Sequence, residues 1–146
     1  MDKTGRFEGM KSMNVLVIDG QGGGIGKQLI AAIKKRMPNV SVMAVGTNSS
    51  ATSAMLKAGA DNAATGENAV IVGCRTADII VGPVSIVVAD SMLGEVTPPM
   101  AAAIGQSPAK RIFIPVNRCN NYIVGISDLP IGKLVQAAVD SIQKSC

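Results

Sequence analysis

Short apolar segments alternate along this chain with segments of helical periodicity. Residues 14–18 (Asn-Val-Leu-Val-Ile) are rich in β-branched side chains and predict a buried first strand. Over residues 24–37 the apolar side chains recur at helical spacing, and Pro38 follows where that helix should end. We predict further strands at residues 40–45, 61–64, 78–81, 111–116 and 122–126. Further helices are predicted at residues 50–58, 67–75, 98–106 and 131–143, the third of them with Thr97 as N-cap and Pro98 as its first residue.

The segment from Val84 to Asp90 has the composition of a strand, but Gly82-Pro83 leaves too short a link for a parallel crossover. We therefore predict a helix that begins after Pro83. Strands alternating with helices are typical of an α/β protein. The expected fold is a three-layer, Rossmann-like, doubly wound and mostly parallel sheet of five or six strands. A chain of 146 residues has room for one domain, which we place at residues 13–146 after a loose tail at residues 1–12.

Composition excludes several classes of function. Aromatic residues make up only 2 %, which argues against a module that stacks nucleic-acid bases, and the net charge of +4 suits anionic small molecules better. The absence of histidine removes Ser-His and Cys-His catalysis and the usual zinc ligands, so we expect no metal site. No apolar run approaches ~18 residues, so we expect a cytoplasmic protein without a membrane partner. A mean hydropathy of +0.33 suggests a homo-oligomer.

The densest cluster of glycines lies directly between the first strand and the first helix. The sequence there is Asp-Gly-Gln-Gly-Gly-Gly-Ile-Gly-Lys, residues 19–27. A helix N-terminus carries unpaired N–H groups, and glycines let a phosphate approach the backbone closely. The turn therefore predicts a phosphate site, although a tight structural turn would explain the same glycines. The candidate ligand-binding residues are Gly20, Gln21, Gly22, Gly23, Gly24, Ile25, Gly26 and Lys27.

Two family patterns compete within this turn. Gly20-x-x-x-Gly24-Ile25-Gly26 resembles the dinucleotide fingerprint of short-chain dehydrogenases, but their Tyr-x-x-x-Lys is missing because Ile126 stands four residues after the only tyrosine. The last five residues of the turn resemble the variant P-loop of ParA-like ATPases, but Gln28 stands where the Ser or Thr that holds Mg²⁺ should be. A dinucleotide-type turn is therefore favoured over an ATPase.

The end of the second strand bears on the choice of cofactor. Dinucleotide-binding folds usually place an acid there to hold the ribose hydroxyls, whereas this chain has Thr47, Asn48 and Ser49 after Gly46. The missing acid favours NADP or another phosphorylated adenine nucleotide, with NAD and coenzyme A as further candidates. No arginine lies nearby in sequence to bind a 2′-phosphate. Ser49 alternatively serves only as a helix N-cap.

Other polar stretches are expected at the same edge of the sheet. They are Gly82, the loop around Glu95 and the loop Asn117-Arg118-Cys119-Asn120-Asn121. Arg118 could bind an anion, and Cys119 beside it could be a nucleophile with a lowered pKa, although a simple turn between strands explains the asparagines as well. Glu95 is either an acid/base group or ribose ligand, or an exposed loop side chain.

Three stretches together resemble an uncharacterised bacterial family, a domain of unknown function. They are residues 19–27, Gly-Glu-Val-Thr-Pro at 94–98 and Ile-Pro-Val-Asn-Arg-Cys at 114–119, and the likeness runs from residue 13 to about residue 142. The resemblance implies a Rossmann-like fold and no activity. Our first hypothesis is a small nucleotide- or dinucleotide-binding protein, either a sensor or a partner-dependent subunit. The alternatives are an enzyme with its site at residues 117–121, formed within one chain or across a dimer, and a structural or interaction protein without a ligand.

Overall fold

A computed structural model describes residues 12–116 and 120–146. Its strands are β1 (Asn14–Asp19), β2 (Ser41–Gly46), β3 (Asn62–Thr65), β4 (Ile79–Pro83) and β5 (Lys110–Ile114). Its helices are α1 (Gly24–Arg36), α2 (Ser49–Lys57), α3 (Glu67–Thr76), α4 (Pro98–Gln106) and α5 (Ile131–Lys144), with a 3₁₀ helix at Val84–Val87 after β4.

The five strands form one parallel sheet in the order β3-β2-β1-β4-β5. The chain moves from β1 outward to β3, and then returns to place β4 on the other side of β1. Helices α1, α2 and α5 pack on one face of the sheet, and α3 and α4 pack on the opposite face. The predicted three-layer, doubly wound α/β fold is therefore confirmed.

Strand β1 is buried on both faces of the sheet. Val15 and Val17 point into the core beneath α1 and α5, while Leu16 and Ile18 point into the core beneath α3 and α4. All four side chains are at most 2 % exposed. A strand covered by helices on both sides needs apolar residues at every position, which is why the sequence shows an unbroken apolar run here.

Two predicted elements differ from the structure. The predicted strand at residues 122–126 is wrong, because this segment has no regular structure, and Tyr122 and Val124 are 75 % and 85 % exposed. The predicted helix from Val84 to Asp90 is only partly right: a single 3₁₀ turn ends at Val87 and is followed by turns. Three β-branched residues among the first four disfavour a longer helix because their χ1 freedom is restricted.

The predicted helix starts are refined by the structure. The Thr97 hydroxyl caps α4 by accepting a hydrogen bond from Met100 N, with Pro98 as the first helical residue, as predicted. The cap of α2 is Asn48, whose side-chain oxygen accepts from Ala51 N at 2.9 Å. Ser49 is the first residue inside that helix, so its suggested capping role is wrong.

Candidate functional site

The glycine-rich turn is a compact reversal between β1 and α1. Gly23 N donates to Gly20 O at 2.9 Å, and α1 begins at the next residue. Gly23 has φ = +71°, and a Cβ there would lie 3.0 Å from the Ala51 backbone of α2. Only glycine combines that backbone conformation with that close approach, so this glycine shapes the turn.

Asp19 ties the two ends of the turn together. The residue is 4 % exposed, and its carboxylate accepts hydrogen bonds from Gly20 N at 2.8 Å and from Gly26 N at 2.7 Å. The second of these is one of the N–H groups that a helix leaves unpaired in its first turn. The N–H groups of Gly20 and Gly26 are therefore already bonded within the protein.

Three other N–H groups of the turn remain open. Within residues 12–116 and 120–146, the N–H groups of Gly22, Gly24 and Ile25 have no hydrogen-bond acceptor. Apart from the adjoining backbone, a Cβ built on Gly22 or on Gly24 would meet no atom within 4 Å, so both residues face open space. These three donors, together with the positive end of the α1 dipole, form a cradle for an anionic oxygen.

The three residues that carry the open donors line a cavity of about 260 Å³. Asp19 and Gly20 contribute its wall at the end of β1, and Pro83 and Ser85 contribute the wall at the end of β4. The cavity thus lies at the carboxyl ends of two adjacent strands whose connections run in opposite directions. That switch point is where open α/β sheets bind their ligands. The remaining lining residues are Gln21, Gly22, Gly24, Ile25, Gln28, Met92, Val116, Asn121 and Ile131.

Glu95 reaches the same region from the loop before α4. One carboxylate oxygen, Oε1, accepts hydrogen bonds from Gln21 N at 2.9 Å, Thr47 Oγ1 at 2.6 Å and Asn48 Nδ2 at 2.7 Å. Burial acts to raise the pKa of Glu95, but these three hydrogen bonds outweigh it, so the pKa lies below its ordinary value. Glu95 is therefore a carboxylate at neutral pH, and the expectation of an exposed loop side chain is wrong.

Backbone strain is concentrated in the loop that carries Glu95. Asp90, Met92 and Leu93 all have positive φ values, of +67°, +55° and +57°. Each such residue costs on the order of 1 kcal/mol or more, and strained residues tend to cluster at binding sites and clamps. Met92 is buried against Gly20, whose missing side chain makes room for it.

The predicted site residues divide into three groups. Gly20, Gln21, Gly22, Gly24 and Ile25 line the cavity together. Thr47 and Asn48 contact Glu95 instead, while Gly23, Gly26 and Gly82 are packed against protein: a Cβ on Gly82 would meet Ile18 O. Lys27 and Ser49 line a separate groove between α1 and α2. Asn117, Arg118 and Cys119 lie outside the described residues.

Several residues that line the cavity are not among the predicted ligand-binding residues. The sequence does carry a signal for Asp19, since an acid directly before a glycine-rich turn is placed to accept its N–H groups. Asn121 belongs to the polar loop that the sequence predicts at this edge of the sheet. Ser85 and Met92 carry no local signal, because they reach the cavity only through the fold. Among the described residues, no group of three His, Cys, Asp or Glu side chains could hold a metal ion.

The helices bear on the question of a membrane partner. Over the described part of the chain, none of them combines the length and the apolar character that a membrane span requires.

Comparisons with known proteins place the chain in a family. No curated protein sequence matches it. A solved structure that matches is a dodecameric, FMN-dependent UbiX-like decarboxylase from Escherichia coli O157:H7. It is 18 % identical, with 90 % of this chain and 76 % of that chain covered, at a TM-score of 0.45. Its flavin, activity and assembly are properties of that protein. A family model described as a domain of unknown function (DUF3842) matches residues 14–146, so this chain belongs to that family.

Proposed function

We propose that this protein binds a small phosphorylated ligand of mononucleotide size, with the phosphate held by the N–H groups of Gly22, Gly24 and Ile25. The observation that carries the proposal is the position of these three open donors on a cavity at the β1/β4 switch point. Hydrogen bonds from N–H groups to a charged oxygen are each worth about 1.5–3 kcal/mol. Three of them on a preformed turn are enough to anchor one phosphate.

The size of the cavity favours one nucleotide unit. Its volume of about 260 Å³ lies just below the roughly 300–1,000 Å³ that ligand pockets commonly enclose. A dinucleotide would need a second compartment at the end of β2, where Thr47 and Asn48 are bonded to Glu95. The carboxylate there also repels a 2′-phosphate. We therefore favour a mononucleotide such as AMP or FMN over NADP, NAD or coenzyme A.

The cavity favours binding over catalysis. Among the residues described, its wall offers a carboxylate already hydrogen-bonded at Asp19 and a hydroxyl at Ser85, without a base of the usual kind beside that hydroxyl. A sensor, or a subunit whose partner supplies reactive groups, fits this composition. An enzymatic site at residues 117–121 remains the alternative hypothesis from the sequence.

A homo-oligomer also forms part of the proposal. Several large apolar side chains are exposed on the described surface, and four of them lie in the segment that leads into α5: Tyr122, Val124, Ile126 and Leu129. Contiguous exposed apolar surface is typical of interaction sites. Native mass spectrometry of the full chain would give the oligomeric state, and a monomer at micromolar concentration would contradict this part.

Thermal unfolding with matched ligands tests the binding function. AMP should raise the melting temperature and adenosine should not, and the same contrast should hold for FMN and riboflavin, because only the phosphate engages the turn. At one hundred times Kd the stabilisation is about 2.7 kcal/mol, or roughly 5–10 °C for a chain of this size. Equal shifts from phosphorylated and unphosphorylated partners, or no shift with either pair, would contradict the proposal.

A further inference from the structure

Glu95 joins the two turns that follow β1 and β2. Its Oε1 accepts from Gln21 N in the glycine-rich turn and from the Thr47 and Asn48 side chains in the turn after β2. Asn48 Nδ2 also donates to Gln21 O at 2.9 Å, so the two turns are linked directly as well. We refer to these four residues, Glu95, Gln21, Thr47 and Asn48, as the Glu95 bridge.

The bridge lies where a dinucleotide would place its adenosine half. In dinucleotide-binding sheets the end of β2 holds the ribose of that half, and the pyrophosphate crosses the glycine-rich turn towards it. Here the side-chain donors at the end of β2 are already bonded to a carboxylate of the protein itself. None of Thr47, Asn48 and Glu95 lines the cavity, which opens instead towards β4 through Pro83 and Ser85.

Contacts within the Glu95 loop hold the bridge in place. Glu95 N donates to Met92 O at 3.1 Å, and Asp90 N donates to Val96 O at 2.7 Å, which closes the loop on itself. Met92 is 8 % exposed and fills the space beside Gly20. Any side chain on Gly20 would collide with Met92 and with Thr47 Oγ1, so the glycine is what lets the loop approach.

We propose that Glu95 is the specificity-determining residue of the site: its bridge closes the β2 side, so that the site takes a mononucleotide and rejects the second nucleotide unit of a dinucleotide. The inference rests on the function proposed above. It predicts that removing the carboxylate opens the adenosine compartment, by freeing one backbone and two side-chain donors, while the phosphate cradle stays as it is.

Calorimetric titration of the full chain with FMN, AMP and NAD⁺ tests this inference on four proteins. They are the wild type, Glu95→Ala, Glu95→Gln and the matched control Glu67→Ala. Glu67 also accepts a hydrogen bond from this part of the chain, from Thr97 Oγ1 at 2.6 Å, and has no hydrogen bond to either turn. We expect E95A to bind NAD⁺ at least tenfold more tightly than the wild type does. Its affinity for FMN and AMP should change by less than about threefold.

Glu95→Gln distinguishes closure of the β2 side by hydrogen bonds from simple repulsion of NAD⁺ by the Glu95 carboxylate. Its amide oxygen can still accept hydrogen bonds from the turns, so closure predicts a smaller NAD⁺ gain in E95Q than in E95A. It also serves as the test if E95A proves poorly folded by circular dichroism, with an expected gain of about threefold. Equal gains in folded E95Q and E95A would refute closure, as would an unchanged NAD⁺ affinity in both or an equal gain in E67A.

The experiments can refute the phosphate site and the role of Glu95 independently of each other. The affinity ratio between each variant and the wild type for NAD⁺ tests the Glu95 bridge. The contrast between AMP and adenosine on the wild type tests the phosphate site. A wild type that binds AMP, with variants that still exclude NAD⁺, overturns only the role of Glu95. Loss of the AMP contrast overturns the binding function, whatever the variants do.

Discussion

Gly24→Val should abolish binding of a phosphorylated ligand and leave the protein folded. Gly24 is the first residue of α1, its φ is not among the positive values, and a Cβ there meets no atom within 4 Å. Valine is somewhat more favourable than glycine in a helix, by roughly 0.3–0.5 kcal/mol, so stability should be unchanged or slightly raised. The branched side chain would instead fill the space in front of the Gly24 and Ile25 N–H groups.

The loss of binding can be given a magnitude from those two donors. At about 1.5–3 kcal/mol for each hydrogen bond to a charged group, blocking both removes roughly 3–6 kcal/mol, which is a hundredfold or more in Kd. Titration with AMP and a thermal melt on the same sample measure the two effects together. The expected Tm change is within about 2 °C. A large Tm loss would therefore show that the valine disturbs the fold, and the binding result could then not be assigned to the blocked donors.

Gly26→Ala is the matched control within the same helical turn. A Cβ on Gly26 would lie 2.5 Å from Met55 Sδ and 2.9 Å from the Asp19 Cβ, so the neighbours must move. Overpacking of this kind typically costs about 1–3 kcal/mol, or roughly 3–10 °C in Tm. Gly24→Val with wild-type affinity would refute the phosphate cradle, and unfolding of Gly24→Val together with a stable Gly26→Ala would refute our reading of the turn's packing.

Two further substitutions test charges outside the cavity. Lys27 lies in the groove between α1 and α2, so Lys27→Ala should weaken AMP binding by no more than about threefold at low salt; a larger, salt-insensitive loss would show that its ammonium reaches the phosphate. The pKa of Asp61 is lowered by hydrogen bonds from Val42 N and Lys34, so its stabilisation is present above about pH 4 and is lost as pH falls through the lower folded-state pKa. Asp61→Asn should therefore melt earlier than the wild type at pH 7 and lose less Tm between pH 5 and pH 2, and parallel acid profiles would contradict this.

The fold could be predicted because its determinants are local in sequence. The apolar run of β1 and the capping pattern Thr97-Pro98 each specify their element within a few residues. The strand prediction at residues 122–126 is wrong because aromatic and β-branched side chains are typical of strands without specifying one. In the structure Tyr122 and Val124 are largely exposed, so this apolar run does not reflect burial in the sheet.

The site could be predicted only where one segment forms it. The glycine-rich turn is contiguous, and five of its eight predicted residues line the cavity. Glu95 was found as a candidate, but its role was not, since its partners lie 74, 48 and 47 positions away. The absence of an acid after β2 pointed to NADP from the sequence. In the folded chain a distant carboxylate occupies that position, and this removes the basis of the inference.

The most direct test of the phosphate cradle is an amide ¹H–¹⁵N NMR titration of the full chain with AMP. We predict saturable shifts at Gly22, Gly24 and Ile25, with smaller or no shifts when adenosine is added instead. Gly66 and Gly105, which also have open space around them but do not line the cavity, serve as internal controls. Saturable shifts confined to the groove of Lys27 and Ser49, or no saturable shift in the glycine-rich turn, would contradict the account.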